Sequence, residues 1–211
     1  MNGLIVERFA RYNEHLLEHW SDRLLGVHII STASQKVLSL LAKFSDKSFY
    51  ERQVARTTGI SYGSANRSLN ELYATGAVRR RREGKMYFYS IDLANAGLTQ
   101  YKILVNIALV EPLVAELKKA AIRLVLYGSC AQGTDTSRSD VDLFVVTTNK
   151  ERAKAVLDSF SFPKGYEDLH LQPVIKTPIE LLEAYEPERA FIEEVEKGMV
   201  LWDRTNNESR V

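Results

Sequence analysis

The segment from Leu124 to Val146, LVLYGSCAQGTDTSRSDVDLFVV, constrains the fold more than any other part of the sequence. It begins with an apolar run, Leu124–Tyr127, whose length and composition predict a buried strand. Gly128 and Ser129 end that run, and a second strand is predicted from Val141 to Val146. The rest of the domain is therefore expected to be built around a β-turn-β unit.

Two acidic residues, Asp140 and Asp142, lie at the entrance to the second predicted strand. Because strand side chains alternate between faces, carboxylates two residues apart point the same way. Adjacent acids repel each other, and a divalent cation such as Mg²⁺, which prefers oxygen ligands and also binds substrate phosphates, removes that repulsion. Asp140 and Asp142 are therefore candidate metal ligands and catalytic residues.

The Gly-Ser step before the acids has the chemistry of a phosphate site. Gly128 allows the backbone to turn sharply and to approach a ligand closely, and Ser129 is a predicted N-cap of a following helix. Free N–H groups at a helix start, together with a serine hydroxyl, bind anions. Gly128 and Ser129 are therefore candidate nucleotide-binding residues, and the whole unit indicates phosphoryl or nucleotidyl transfer.

Ten residues, Cys130 to Ser139, separate the Gly-Ser step from the Asp-x-Asp motif. In this pattern the sequence resembles the nucleotidyltransferase superfamily, in particular its minimal nucleotidyltransferase branch. The resemblance implies a small mixed α/β domain that holds Mg²⁺ through Asp140 and Asp142 and an NTP, expected to be ATP, through Gly128 and Ser129. An acceptor hydroxyl would then attack the α-phosphorus. The alternative is a Gly-Ser turn followed by two surface aspartates.

The chain departs from that family at the third carboxylate, which active members usually carry on the next strand. The next predicted strand, Leu169–Ile175, has no acid in its interior. Alternation places Asp168, His170 and Gln172 on one face, so Asp168 and His170 are the remaining catalytic candidates, His170 as a base. An ordinary polar face is the alternative. Family members also often carry an arginine shortly after the serine, where this chain has Gln132.

The region from Ser34 to Ser90 is strongly basic, with eleven Lys and Arg against four Asp and Glu in a chain of net charge +1. This excess indicates that the region meets a polyanion. The predicted elements are a helix through Phe44 capped by Ser34, a helix over Phe49–Thr58 ended by Gly59, a helix over Tyr62–Thr75 capped by Ser61, and a hairpin of Val78–Arg82 and Lys85–Tyr89 around Glu83-Gly84.

This order of helices and hairpin resembles the winged helix-turn-helix of transcription regulators over roughly residues 34 to 91. The resemblance implies double-stranded DNA as a partner, with the third helix in the major groove and the hairpin on phosphates. It assigns DNA contact to Ser61, Tyr62, Ser64, Asn66, Arg67, Arg79, Arg80, Arg81, Arg82 and Lys85. The alternative is a winged helix used only for protein contact. Regulators of this kind usually bind as dimers, so a homodimer is expected.

The whole chain is interpreted as an α/β (α+β) protein of several parts. The predicted parts are a helical lead-in plus winged helix over 1–92, a connecting helix over 93–120 that Pro112 kinks or divides, and a nucleotidyltransferase-like domain over 121–211. The single cysteine, Cys130, excludes an internal disulfide and fits a cytoplasmic location. No apolar run approaches the ~20 residues of a membrane span, so no membrane partner is expected, and the charged N-terminus argues against a signal peptide.

Three functions remain open at this stage. The first is a DNA-binding nucleotidyltransferase that modifies a hydroxyl of a protein, an RNA or a small molecule; the family resemblance adds a partner toxin to the possible acceptors. The second is a transcription regulator or antitoxin whose domain binds nucleotide and Mg²⁺ without turnover. The third is a protein-interaction module, which the pairing of Asp140 with Asp142 disfavours.

Overall fold

The computed structural model describes residues 32–204. The helical lead-in predicted for residues 4–30 lies outside this range. Residues 32–91, here called the amino-terminal unit, contain three helices and a three-stranded antiparallel sheet of order β1-β3-β2. The elements are α1 Ala33–Lys43, β1 Phe49–Tyr50, α2 Glu51–Thr58, α3 Tyr62–Ala74, β2 Arg79–Glu83 and β3 Met86–Ser90.

Local sequence signals explain most of these boundaries. Ser61 caps α3 as predicted, its hydroxyl accepting the Ser64 N–H at 3.1 Å, and Gly59 ends α2 in the left-handed conformation. The predicted cap of α1 was wrong, because Thr32 is the N-cap and forms a reciprocal capping box with Gln35. The predicted start of the second helix, Phe49, is also two residues too early, because α2 begins at Glu51.

The hairpin forms as predicted, but its turn lies one residue later. Arg82 pairs with Tyr87 and Glu83 with Met86, which leaves Gly84 at the turn with a positive φ of 58°. Phe49 and Tyr50, predicted to be helical, instead pair with β3 as a short third strand.

Residues 96–204 are called the carboxyl-terminal unit. It contains α4 Ala96–Leu117, β4 Ala121–Tyr127, α5 Gly128–Gln132, β5 Val141–Thr147, α6 Lys150–Ser159, β6 Leu171–Lys176, α7 Pro178–Leu182, α8 Glu186–Glu196 and β7 Met199–Asp203. Its sheet has the order β6-β5-β4-β7, with β6 parallel to β5 and the other pairs antiparallel. The unit is therefore a mixed sheet flanked by helices. Pro173 lies within the edge strand β6, a position that its missing N–H favours.

Helix α4 is a single element that contains Pro112 and is not divided by it. By length and composition α4 could cross a membrane, contrary to the expectation from the sequence, but half of its apolar stretch is buried inside the protein. It contacts α1 of the amino-terminal unit and the strands β4 and β7. These contacts are those of a core helix in a globular protein.

One apolar core runs through both units. It joins Val37 and Leu41 of α1 to Leu113 of α4 and Leu143 of β5, all of them almost fully buried. At the junction between the units the rings of Phe44 and Tyr166 stack with their centroids 5.9 Å apart. The core is thus continuous across the boundaries predicted between the parts of the chain.

Candidate active site

The Gly-Ser turn and the second acid of the pair are in direct contact. Tyr127, the last residue of β4, is paired with Asp142 of β5 in the antiparallel register. The chain then turns at Gly128, whose φ is +66°, and a Cβ at that position would lie only 2.5 Å from Oδ2 of Asp142. Both the backbone conformation and the available space therefore require glycine, and the Asp142 carboxylate lies against the turn.

Ser129 is not the helix N-cap that the sequence predicts. Helix α5 begins at Gly128 with Tyr127 as its N-cap, so Ser129 lies inside the first turn and is not the capping residue. Its carbonyl accepts the Thr134 N–H at 3.1 Å. Its hydroxyl makes no hydrogen bond to any residue between 32 and 204, and it remains available to a ligand.

The two carboxylates have the donor chemistry of a divalent-cation site. Asp140 is exposed and Asp142 half-buried, and within the described part of the chain neither carboxylate receives a hydrogen bond or pairs with a cation. Burial, followed by the charge of Asp140, raises the pKa of Asp142. The protein therefore supplies no counter-charge to the two carboxylates from its described residues, and their oxygen donors fit Mg²⁺. Residues 32–204 contain no group of three His, Cys, Asp or Glu placed to hold a metal.

The position beside the acid pair on the next strand carries an amide. Gln172 of β6 pairs with Asp142 in the parallel register. The strand begins at Leu171, so the predicted alternation does not extend back to Asp168, which lies exposed in a turn. His170 is exposed just before β6, and its carbonyl accepts the Val141 N–H at 2.8 Å. The structure thus brings His170 next to the acid pair along the backbone and places Asp168 outside the strand.

The raised pKa of Asp142 predicts a specific dependence of stability on pH and metal. With a chelator present, Asp142→Asn is expected to raise the free energy of unfolding at pH 7 by about 0.5 kcal/mol, the scale of interactions between partly solvated charges. Because the folded pKa lies above the unfolded one, this gain is absent below the unfolded pKa and develops as pH rises through the folded pKa. Urea unfolding between pH 4 and 8 measures it.

Added Mg²⁺ should make the wild type more stable than Asp142→Asn, because ion binding stabilises only the wild-type fold. Equal stabilisation of both proteins by Mg²⁺ would contradict a metal site at Asp142.

Cys130, directly after Ser129, is fully buried. Burial raises the pKa of its thiol to about 11, so the residue is protonated and packed. This agrees with a structural role and not with a reactive one.

Several of the residues predicted to contact DNA have partners within the amino-terminal unit. Glu51 accepts hydrogen bonds from Tyr62 at 2.6 Å and from Asn66 at 2.9 Å. Arg80 lies over the rings of Tyr73 and Tyr87, 4.1 and 4.5 Å from their centroids. It therefore joins the hairpin to α3.

The outer arginines of the hairpin are differently placed. Arg79 pairs with Asp92, Arg81 with Glu83 at 2.6 Å, and Arg82 donates to the Gly84 carbonyl. These exposed pairs are weak and exchange readily for other anions. Arg67 and Lys85 are exposed and have no such partner among residues 32–204.

A buried polar cluster that the sequence did not reveal lies between the two units. Lys43 of α1 donates to Asp135 at 2.7 Å and to Asn106 of α4 at 2.9 Å. Lys102 of α4 donates to the Asp135 carbonyl and to Ser45. Lys43, Lys102, Asn106 and Asp135, here called the lysine-aspartate cluster, are all at most 2% exposed. Burial, partly offset by Asp135, lowers the pKa of Lys102.

The comparisons with known proteins point to the carboxyl-terminal unit. Residues 112–207, a little under half of the chain, match the family model described as "Polymerase beta, Nucleotidyltransferase". No curated protein matches the chain. Together with the mixed sheet flanked by helices, the family match supports a nucleotidyltransferase fold for this part of the chain and, in general terms, nucleotidyl transfer.

One solved structure that aligns with the chain is that of hypothetical protein PyrSV_gp04 from Pyrobaculum spherical virus. It is 22% identical, with 43% of this chain and 56% of that chain covered and a TM-score of 0.26. The alignment thus spans little more than half of the viral protein, and a TM-score this low is too weak to support a shared fold.

Proposed function

We propose that the chain is a DNA-binding nucleotidyltransferase that transfers a nucleoside monophosphate from an NTP, with ATP the expected donor, to a hydroxyl acceptor. The observation that carries the proposal is the contact between the Gly128 turn and the Asp142 carboxylate. The contact supports the proposal because Gly128, the proposed phosphate-binding turn, and Asp142, the proposed metal ligand, are then close enough to bind the same nucleotide. The acceptor is a protein, such as a partner toxin, an RNA or a small molecule, and a cytoplasmic location belongs to the same proposal.

The residues of the site have distinct parts in this chemistry. Asp140 and Asp142 hold Mg²⁺, and Gly128 and Ser129 bind the outer phosphates through backbone N–H groups and the free hydroxyl. When bound, the metal neutralises charge that grows on the phosphoryl oxygens. The acceptor oxygen bonds to the α-phosphorus, the bond to the bridging oxygen breaks, and pyrophosphate leaves. His170, beside Val141, is the candidate to take the acceptor's proton.

A second candidate function is nucleotide sensing without turnover. It is favoured by the amide of Gln172 beside Asp142, because an amide neither takes up a proton nor adds negative charge to a metal site. In this alternative the chain is a regulator or antitoxin whose carboxyl-terminal unit only binds Mg²⁺ and nucleotide.

Incubation with Mg²⁺ and α-labelled NTPs separates the two candidates. Transfer of label to protein, RNA or an added hydroxyl compound, with release of pyrophosphate, supports the transferase. Saturable binding with no release supports the sensor. The absence of both binding and turnover for all four nucleotides would exclude both.

The amino-terminal unit is proposed to be a winged helix-turn-helix that binds double-stranded DNA, as a homodimer. The support is the order of three helices and a hairpin, the paired three-stranded sheet, and the exposed basic side chains on α3 and the hairpin. Ser61 caps α3 and Ser64 lies in its first turn, so their contacts to DNA would come from the start of the helix. Tyr62 and Asn66 would have to give up their hydrogen bonds to Glu51 in order to bond a base edge or a phosphate.

Removing two exposed cations is expected to weaken DNA binding in a salt-dependent way. Arg67→Ala with Lys85→Ala should lower the affinity for a mixed-sequence duplex and reduce the slope of log K against log salt by about 2, because each cation displaces about one counterion. Fluorescence anisotropy at several salt concentrations measures the slope. Lys154→Ala, which removes an exposed lysine from α6, is the matched control and should leave the slope unchanged. An unaltered slope in the double variant would contradict DNA binding through Arg67 and Lys85.

A further inference from the structure

The segment Gly133–Ser139, which joins the Gly-Ser turn to the acid pair, is held by side chains that lie outside the family match. Lys43 at the end of α1 donates to the Asp135 carboxylate. Asp46, in the loop after α1, accepts the Ser137 N–H at 2.9 Å and the Ser137 hydroxyl at 2.7 Å. Two side chains of the amino-terminal unit therefore bind this segment.

Helix α4 holds the start of the same segment. Gly133 has a φ of +71°, and a Cβ there would lie 3.0 Å from side-chain atoms of both Ile103 and Thr99. One turn along the helix, Asn106 donates to the Cys130 carbonyl and to Asp135, each at 2.9 Å. The segment thus lies closely against α4 over its first residues.

The position of Asp140 depends on these contacts. Asp140 lies outside β5, which begins at Val141, so the strand ladder does not fix it. Its carbonyl accepts one weak hydrogen bond from Cys130 Sγ at 3.4 Å. The preceding residues add the other contacts, and the last of them with a contact outside the segment is Ser137, bound through both backbone and side chain. The Asp46 carboxylate is also ionised: burial opposes this, but the hydrogen bonds from Ser137 outweigh it and lower the pKa of Asp46.

We propose that Lys43 and Asp46 are positioning residues for the nucleotide site. They hold Gly133–Ser139 and thereby fix Asp140 relative to the Gly128 turn. The inference rests on the proposed function, because Asp140 is a metal ligand in it. A nucleotide site in this chain is accordingly complete only with the amino-terminal unit present.

Asp46 allows a clean test because it is exposed and lies outside the core. In the full-length chain, Asp46→Ala should weaken binding of Mg²⁺·ATP about 10-fold, the lower end of the effect of losing a supporting contact in a metal site. It should also speed amide exchange over residues 133–139 and leave Tm within a few degrees. Asp46→Asn keeps one acceptor oxygen and should recover part of the affinity.

Two further variants complete the comparison. Asp158→Ala removes an exposed aspartate of α6 that has no hydrogen bond or ion pair to residues 32–204, and it should behave as wild type. Lys43→Met leaves Lys102 to pair with Asp135, and it should weaken Mg²⁺·ATP binding at temperatures below its Tm. Calorimetry gives the affinities, and hydrogen exchange with mass spectrometry gives the local opening.

The outcomes separate this inference from the function on which it rests. Unchanged exchange over 133–139 in Asp46→Ala overturns the positioning role, as does faster exchange with unaltered nucleotide affinity, and both leave the proposed function intact. Failure of the wild-type chain to bind any of the four Mg²⁺·NTPs overturns both, and the wild-type titration alone reveals it.

Discussion

Replacing Asp135 with alanine is expected to lower the free energy of unfolding by about 3–5 kcal/mol, the loss typical of breaking a buried ion pair from one side. The substitution leaves Lys43 and Lys102, both fully buried, without their shared carboxylate. It also removes one of the two acceptors of the Asn106 amide. Urea unfolding at pH 7 measures the loss, and Asp158→Ala, at an exposed position, should stay within about 0.5 kcal/mol of wild type.

The loss in Asp135→Ala should shrink as pH rises. A buried ammonium can lose its proton, and the pKa of Lys102 is already lowered by burial in the wild type. A lysine whose folded pKa lies below its unfolded pKa destabilises the fold below the folded value, and the penalty disappears as pH rises towards the unfolded value. The difference from wild type should therefore be smaller at pH 10 than at pH 7.

Adding Lys43→Met and Lys102→Met to Asp135→Ala should restore much of the stability, because apolar side chains need no partner. A loss below about 1 kcal/mol in the single variant would show that the lysine-aspartate cluster is solvated and not buried.

Replacing both acids of the candidate site is expected to abolish Mg²⁺-dependent function. Asp140→Asn with Asp142→Asn removes the negative charge that attracts the metal but keeps side chains of almost the same size. Nucleotide affinity in Mg²⁺ and any transfer rate should each fall at least about 100-fold, the scale for removing an electrostatic group from a catalytic site. Calorimetry and pyrophosphate release measure the two quantities.

Asp168→Asn is the matched control for this experiment, since it removes a carboxylate from the exposed turn before β6. Nucleotide affinity and any transfer rate should each change by less than about threefold, because the turn lies outside the strand that pairs with β5. Full nucleotide binding by the double variant would refute the site. A large loss in Asp168→Asn would instead show that Asp168 supplies the missing third carboxylate.

The two strands and the turn of the candidate site were predictable because their determinants are local. An apolar run, a Gly-Ser step and two acids at a strand entrance fix a β-turn-β unit within one short segment. The register of Tyr127 with Asp142 then follows from the antiparallel pairing of two adjacent strands. The β2–β3 hairpin was predictable for the same reason.

The lysine-aspartate cluster was missed because its partners are distant in sequence. Lys43 is 63 residues from Asn106 and 92 from Asp135, and no periodicity connects residues so far apart. One signal was present: Lys43 falls three residues after Leu40, on the face of α1 that is buried. A charged residue on such a face needs a buried partner.

Two smaller errors have equally physical causes. The cap of α1 was assigned to Ser34, although Thr32-Ala-Ser-Gln35 is a capping-box sequence and the reciprocal pair forms there. The strand β6 begins two residues later than its composition suggested, because the Leu169 N–H donates to the Tyr166 carbonyl in the preceding turn and the first pair with β5 is Leu171 with Val141.

Pro173 has a consequence for how copies of this chain can associate. It lies in β6 at one edge of the sheet, opposite Leu143, and its ring nitrogen has no hydrogen to offer an incoming strand. The other edge, β7, has no proline and exposes Met199 and Val200. Of the two edges of this four-stranded sheet, only β7 therefore has a backbone N–H at every residue, although its pairing with β4 shifts register between Leu124 and Val125. Edge-to-edge association through this sheet would therefore have to use β7.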